Sequence, residues 1–293
     1  MYVADLPWYD LPELTAATDA WWAGIGRHLG RLGVPGVPAD LARADDIAAT
    51  WADPRLLLGQ ACGYDVLYDA RDVIVPIATP CYAGAGCSGP FYRSEVVVRA
   101  DRPYRRLDDL RGARLSINEV ASHSGNNALR PLVAPLSRDG RFFGAVETSG
   151  AHTDSLLALH QDRADVACVD AVVTALLRRV RPGLLDGLVT IAHTAPAVAP
   201  PYVTSRHTDA ATRSRLQQAL VAAAADPDLA ACRRELLLER FELLPPAAYD
   251  ALQDAERVAQ AFGYDELPAP RRSPLFRPGQ PGGGGACGGG ARR

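Results

Sequence analysis

The sequence predicts an α/β protein of two lobes, with mostly parallel sheets flanked by helices and two segments crossing between the lobes. Three observations carry this. Short apolar runs of strand length alternate with helix-period stretches, the pattern of βα units. The chain has 293 residues, 48% of them hydrophobic and 22% charged, enough for a sizeable core in two lobes. Two extended segments, Phe91 to Arg99 and Pro196 to Thr204, lie where one lobe would hand the chain to the other.

In chain order, Tyr2 to Leu6 reads as a short strand left through Pro7-Trp-Tyr-Asp10. Leu14, Trp21, Ile25, Leu29 and Leu32 follow at helical spacing, ending at Gly33 before Pro35. That spacing makes Trp21 and Trp22 core and rim residues. Ala39 to Asp45 reads as a second short strand, and Ile47 to Trp51 as a helical turn stopped by Asp53-Pro54. Leu56 to Gln60 is a continuous apolar run, as in a buried parallel strand, and exits through Ala61-Cys-Gly-Tyr64. Val73 to Ala78 is a strand, and Thr79 to Pro90 a glycine-rich loop.

Leu107 to Gly112 is a helical turn with a glycine stop, and Ala113 to Ile117 the next strand. It delivers the chain into Glu119 and then Ser122-His-Ser-Gly-Asn126, ahead of a helix that Pro131 kinks or delays. Hydroxyls and small residues at such a junction cap orphan amides or leave them open to an anion. Arg141 to Val146 is a strand leaving through Glu147 to Asp154 into the helix Ser155 to Gln161. Ala164 to Val169 is a strand, and Asp170 caps the helix Ala171 to Arg178. Val189 to His193 is a strand. Asp209 to Ala225, Pro227 to Glu239 and Ala247 to Phe262 read as three closing helices. From about Pro268 the proline, arginine and glycine composition predicts disorder, so 266–293 is a tail.

In sheets of this kind ligands collect beyond the carboxyl ends of the strands. The exits then form a set: Trp8 and Tyr9; Gln60 and Tyr64; Tyr92; Ser122 to Asn126; His152 and Thr153; Asp170. Helix-start amides there favour a negative group, aromatics wall it, and Asp170 receives a cationic or hydroxyl part.

Several functions are disfavoured. A formal net charge of −3 gives no basic surface for nucleic acid. No apolar run is long enough for membrane insertion. The six cysteines, Cys62, Cys81, Cys87, Cys168, Cys232 and Cys287, form no CxxC pair. Cys81 and Cys87 flank a short glycine loop, with free thiols the default. Glu119, His123 and His152 lack a tight metal-ligand pattern. Ser124, His152 and Asp170 make a triad on paper but lack a G-x-S-x-G elbow. No cofactor fingerprint is complete: there is no phosphate-binding G-x-x-x-x-G-K-[ST] loop, and Gly84-Ala-Gly86 leads to Gly89-Pro90 rather than a helix.

The order Gly112-Ala-Arg-Leu-Ser-Ile-Asn118, Ser122-His-Ser-Gly125, Ser149-Gly-Ala-His-Thr-Asp-Ser155 and Arg163-Ala-Asp-Val-Ala-Cys-Val-Asp170 resembles the phosphonate/phosphate-type substrate-binding proteins of ABC importers. The resemblance covers roughly residues 1 to 265 and implies a type II periplasmic-binding fold. Lobe one would be 1–91 plus 200–265 and lobe two 92–199. It implies Ser122, His123, Ser124 and His152 on the phosphonate oxygens, Asp170 on an amine and Tyr92 on the first crossing. Added to the exits, the expected binding set is Tyr9, Gln60, Tyr64, Tyr92, Ser122, His123, Ser124, Asn126, His152, Thr153 and Asp170. The expected ligand is a small anionic or zwitterionic molecule, with an importer's membrane component as partner. No chemistry of its own and no cofactor are expected; the alternative is an enzyme on the same scaffold acting on a small carboxylate or pyrimidine. The family is usually exported. The sequence as it stands shows no signal peptide, so the cytoplasm is expected unless the start is truncated. His123 stands where the family usually carries Ser or Thr, so a carboxylate or a heterocycle would fit as well.

Overall fold

The structure is a computed structural model, and it describes residues 2–267. The first sheet gathers β1 (Val3–Ala4), β2 (Leu56–Gln60), β3 (Ile74–Tyr82), β11 (Tyr202–Ser205) and β12 (Leu238–Glu242) in the order β1-β2-β11-β3-β12. The second gathers β5 (Ser94–Arg99), β6 (Arg114–Ile117), β7 (Ala145–Thr148), β8 (Val166–Asp170) and β9 (Leu188–His193) in the order β7-β6-β8-β5-β9. Between them β4 (Phe91–Tyr92) pairs antiparallel with β10 (Ala197–Val198), so the two crossings lie side by side. The mixed α/β class with flanking helices is as the sequence predicts. Mostly parallel pairing is not. β1 with β2, and β6 with both β7 and β8, are parallel, but β5, β11 and β12 pair antiparallel with all their neighbours. β5 and β11 follow the crossings, so each enters its sheet from the hinge side. That direction opposes strands wound through βα units.

The long first helix α1 (Thr15–Arg31) buries Trp21, Trp22, Ile25 and Leu29 on one face. It packs on α7 (Ala210–Ala225) over the first sheet. In the second lobe α5 (His152–His160) and α6 (Ala171–Val180) cover one sheet face through Leu156, Leu159, Val173 and Leu177. The short α4 (Arg130–Val133) covers the other through Leu129 and Val133.

Several boundaries differ from the sequence reading. Residues 39–45 are coil, because Asp5 and Ala4 bind Ala44 and Ala42 singly and no ladder forms. β3 continues to Tyr82 through the expected loop, held by β12. β12 itself stands where a helix was expected, since α8 (Ala230–Glu235) stops early at Leu236 and Leu237 turns at a φ of +55°. β7 begins at Ala145 rather than Arg141, and α5 starts at His152 rather than Ser155. The last helix, α9 (Leu252–Ala261), leaves the first lobe. Ala259, Tyr264 and Leu267 pack with Leu129 and Val133 in the second lobe's core, so this segment crosses from one lobe to the other. The expected tail beyond Leu267 lies outside the described residues. The five cysteines among the described residues are free thiols.

The α9 docking is testable. Tyr264 is fully buried in the second core, so Tyr264→Ala should cost about 3 kcal/mol in urea unfolding. A loss below about 1 kcal/mol would contradict a packed strap there.

Candidate functional site

The parallel register of the second sheet sets the site. Ile117 pairs with Thr148, and Ser116 with Ala167, so β6, β7 and β8 end at one edge. Their exits meet there. After β6 the chain makes a single π turn, His123–Asn127, closed by Asn127 N–H to Ser122 C=O at 3.0 Å and Ala128 N–H to His123 C=O at 2.8 Å. Such turns recur at functional positions. Ser122 caps it, its Oγ accepting from Gly125 N–H at 3.1 Å. The chain passes close to Asn118 at Gly125: a Cβ there would lie 2.0 Å from Asn118 Oδ1 and displace that side chain.

After β7, Gly150 at a φ of +95° turns the chain into α5. Its N-cap is Ala151, which has no side chain to cap, so the first-turn amides are not satisfied from within the helix. His152 opens α5, and its Nε2 lies 2.9 Å from Ser124 Oγ, which in turn lies 3.3 Å from Ser122 Oγ. A hydroxyl–hydroxyl–imidazole chain thus spans two loops. Burial pushes the His152 imidazole down to about 4, so it is neutral near pH 7. Its Nδ1 is enclosed and has no partner among the described residues.

After β8, Asp170 is treated differently. One carboxylate oxygen accepts from Val172 N–H at 2.7 Å and caps α6. The other accepts from Tyr9 Oη at 2.8 Å, across the gap between the lobes. Burial raises Asp170 to about 7, opposed by these two donors. Tyr9 reaches over from the exit of β1 at a φ of +67°, in the left-handed region. Strain of that kind, unusual for a tyrosine, concentrates at functional sites.

These residues line one interlobe cleft of about 610 Å³. From the expected set it holds Tyr9, Tyr92, Ser122, Ser124, His152, Thr153 and Asp170. Four expected residues lie elsewhere. Gln60 is buried beneath the sheet end, donating to Tyr82 Oη at 3.2 Å and Pro200 C=O at 3.0 Å. Tyr64 is turned outward by the helix α3 (Gly63–Leu67), where it and Tyr68 both donate to Glu256 of α9. His123 points into the core, its Nδ1 accepting from Asn127 Nδ2 at 3.1 Å, and burial lowers it to about 4. Asn126 closes its own loop, donating to Val120 C=O at 2.6 Å.

The cleft also holds residues outside that set. Asp65 faces it in place of Tyr64, because successive helix positions are about 100° apart. Trp51 lines it from the helix α2 (Ile47–Ala52), stacked on Trp8 at 5.9 Å. Asn118 and Glu119 line it from the β6 exit. No arginine or lysine is among the lining residues.

The triad that the residue types suggest is not assembled. Ser124 meets His152, but Asp170 is committed to Tyr9 and Val172 and makes no hydrogen bond to the imidazole. Among the described residues no cluster of three or more metal-ligating side chains exists.

Residues 7–249 match the family model described as "ABC transporter, phosphonate, periplasmic substrate-binding protein". The chain belongs to this family. Its members are periplasmic transport proteins rather than enzymes. Among solved structures it is similar to a binding protein component of an ABC phosphonate transporter from Pseudomonas aeruginosa, with 15% identity, 89% of this chain and 87% of that one covered and a TM-score of 0.74. PhnD1 from Prochlorococcus marinus, in complex with methylphosphonate, gives 15% identity, coverage of 88% and 97% and a TM-score of 0.70. XAC2383 from Xanthomonas citri, bound to ATP, gives 18% identity, coverage of 89% and 98% and a TM-score of 0.66. No curated protein sequence matches the chain. Among the described residues no helix is long and apolar enough to cross a membrane.

The imidazole state can be measured directly. By NMR titration His152 should protonate with a midpoint near 4 rather than the ordinary 6.5. The sign follows. The unfolded chain binds this proton below about 6.5 and the folded chain does not, so stability is full above that pH and is lost as pH falls toward 4. His123 is lowered in the same way, so His152→Asn should remove about half of that acid loss; an unchanged slope in the variant would place the burial cost elsewhere.

Proposed function

We propose that this protein captures a small anionic or zwitterionic, phosphonate- or phosphate-like ligand in the interlobe cleft and presents it to the membrane component of an ABC importer. The observation that carries this is the Ser122–Ser124–His152 chain at the mouth, 2.9 Å between Ser124 Oγ and His152 Nε2. Two hydroxyls can each turn a proton toward an oxyanion, and a neutral imidazole donates from whichever nitrogen carries the hydrogen. The uncapped first turn of α5 adds backbone amides and the positive end of a nine-residue helix. Every donor is neutral. An oxyanion is therefore held by directed hydrogen bonds, without a permanent positive charge in the wall.

The Asp170 carboxylate favours zwitterions by orienting Tyr9 and the non-anionic part of the ligand. Tyr9 lies on one lobe and Asp170 on the other, so ligand entry and lobe closure act on the same contact. Tyr92 sits at the crossing and forms the cleft floor. The similar structures support the class of ligand, since one holds methylphosphonate and another ATP, both phosphorus oxyanions. We assign the protein to the periplasmic compartment of its family.

Calorimetric titration with methylphosphonate and inorganic phosphate tests the reading. Ser124→Ala and His152→Ala should each weaken binding by about 1–3 kcal/mol while thermal unfolding stays cooperative. Equal affinity in wild type and both variants would remove the oxyanion assignment.

A further inference from the structure

We propose that the ligand carries a single oxyanion head and a flat aromatic body, and that the body rests on an apolar wall that Trp8 and Trp51 build on the first lobe. This deepens the proposed binding role of the same cleft and rests on lobe two holding the head.

The cleft is too large for the head alone. Its volume of about 610 Å³ is of the size that holds a whole drug-sized molecule. Methylphosphonate, a phosphorus with one carbon and three oxygens, would fill only one end. The lobe-two end is polar, but much of the lobe-one wall is not: Pro7, Trp8, Leu11, Ile47, Ala48 and Trp51 line it. The first three come from the exit of β1. The others come from α2, where Ile47 and Trp51 stand four apart and so share a face. Trp8, Ile47 and Trp51 are only half-buried. Apolar surface left open in a concave site is surface that a ligand can cover.

The indoles favour an aromatic body over an aliphatic one. Trp8 and Trp51 stack at 5.9 Å with 28° between planes. Trp51 donates its N–H, its one polar side-chain group, to Gln60 C=O at 3.2 Å. That bond fixes the ring, and what the ring shows the cleft is carbon. The tyrosines of the cleft are already engaged. Tyr9 donates to Asp170 and meets Tyr82 edge-on at 5.1 Å, and Tyr92 is buried against His123. The indole pair is therefore the aromatic surface left to a ligand, and a ring packed on it gains more than its buried area alone supplies.

Charge limits the ligand to one head. Asp10, Asp65, Glu119 and Asp170 line the cleft, and no arginine or lysine does. A second anionic group would lie among these carboxylates with no cation beside it, and like charges at that range repel. An aromatic body without charge meets no such penalty on the indole wall. A chain of phosphates does.

Calorimetry at about pH 8, where carboxyls are ionised, compares methylphosphonate, cyclohexylphosphonate and phenylphosphonate. Wild type should bind phenylphosphonate about tenfold or more tighter than methylphosphonate, and about threefold or more tighter than cyclohexylphosphonate. ATP should bind about tenfold or more weakly than phenylphosphonate. Trp8→Leu and Trp51→Leu remove the flat face and keep the wall apolar, so each should bring the phenyl-to-cyclohexyl ratio down to about one. Ser124→Ala should weaken all three phosphonates and preserve their ratios, which separates the head from the body. Phenylphosphonate no tighter than either other phosphonate, ATP as tight as phenylphosphonate, or the phenyl-to-cyclohexyl ratio retained in both tryptophan variants overturns the proposal. If circular dichroism shows both variants unfolded, the wild-type ratios decide it. If no phosphonate binds wild type, millimolar benzamide decides by thermal shift. A shift lost in Trp8→Leu keeps the aromatic wall and removes the oxyanion reading; no shift, or one retained in Trp8→Leu, removes both.

Discussion

The parallel pairing of β6 with β7 and β8 is the constraint on which the site depends. It ends three strands at one edge, so three loops distant in sequence open on one mouth. A one-residue slip would turn every side chain to the other face. With Ile117 opposite Thr148, the π turn after β6 and the start of α5 after β7 face each other closely enough for Ser124 and His152 to bond. Gly125 completes the geometry, since a side chain there would displace Asn118 from its place beside the turn. The cost of this arrangement is visible in its unpaired groups: His152 Nδ1 and Asn118 Oδ1 are enclosed without partners among the described residues. Such groups are expensive in a core and useful in a binding site.

The second lobe does not act alone. Tyr9 crosses to Asp170, and α9 crosses in the other direction, carrying Ala259, Tyr264 and Leu267 into the second lobe's core. α9 also takes Tyr64 and Tyr68 of the first lobe onto Glu256, while Asn127, the last residue of the π turn, donates to Leu252 C=O at 3.1 Å. The mouth is therefore connected mechanically to the strap. A residue chosen from sequence as a ligand contact, Tyr64, instead ties the strap to the first lobe.

Much of this was legible in the sequence because the signals were local. The α1 periodicity, the apolar run of β2 and the capping aspartate before α6 each depend on neighbours a few residues away. The loops that line the cleft were legible for the same reason: serine, glycine and histidine at strand exits are short-range signals. What failed was long-range. β12 reads Leu-Glu-Arg-Phe-Glu, a good helical pattern, and becomes a strand only because β3 offers it an edge. Gln60 and Tyr64 belong to the exit of β2 but do not line the cleft. The phase of α3 decides that Asp65 faces inward, and no local signal sets that phase. Trp51 could have been found from its place on a short helix next to β2; its stacking on Trp8 could not.

The most direct measurement is a crystal structure of the protein grown with methylphosphonate. Tetrahedral density bonded to Ser122, Ser124 and His152, with the α5 first-turn amides completing the shell, is the expected result. Density elsewhere, or a mouth in which Ser124 and His152 remain bonded only to each other at saturating ligand, would contradict the claim that this edge of the second sheet is an oxyanion site.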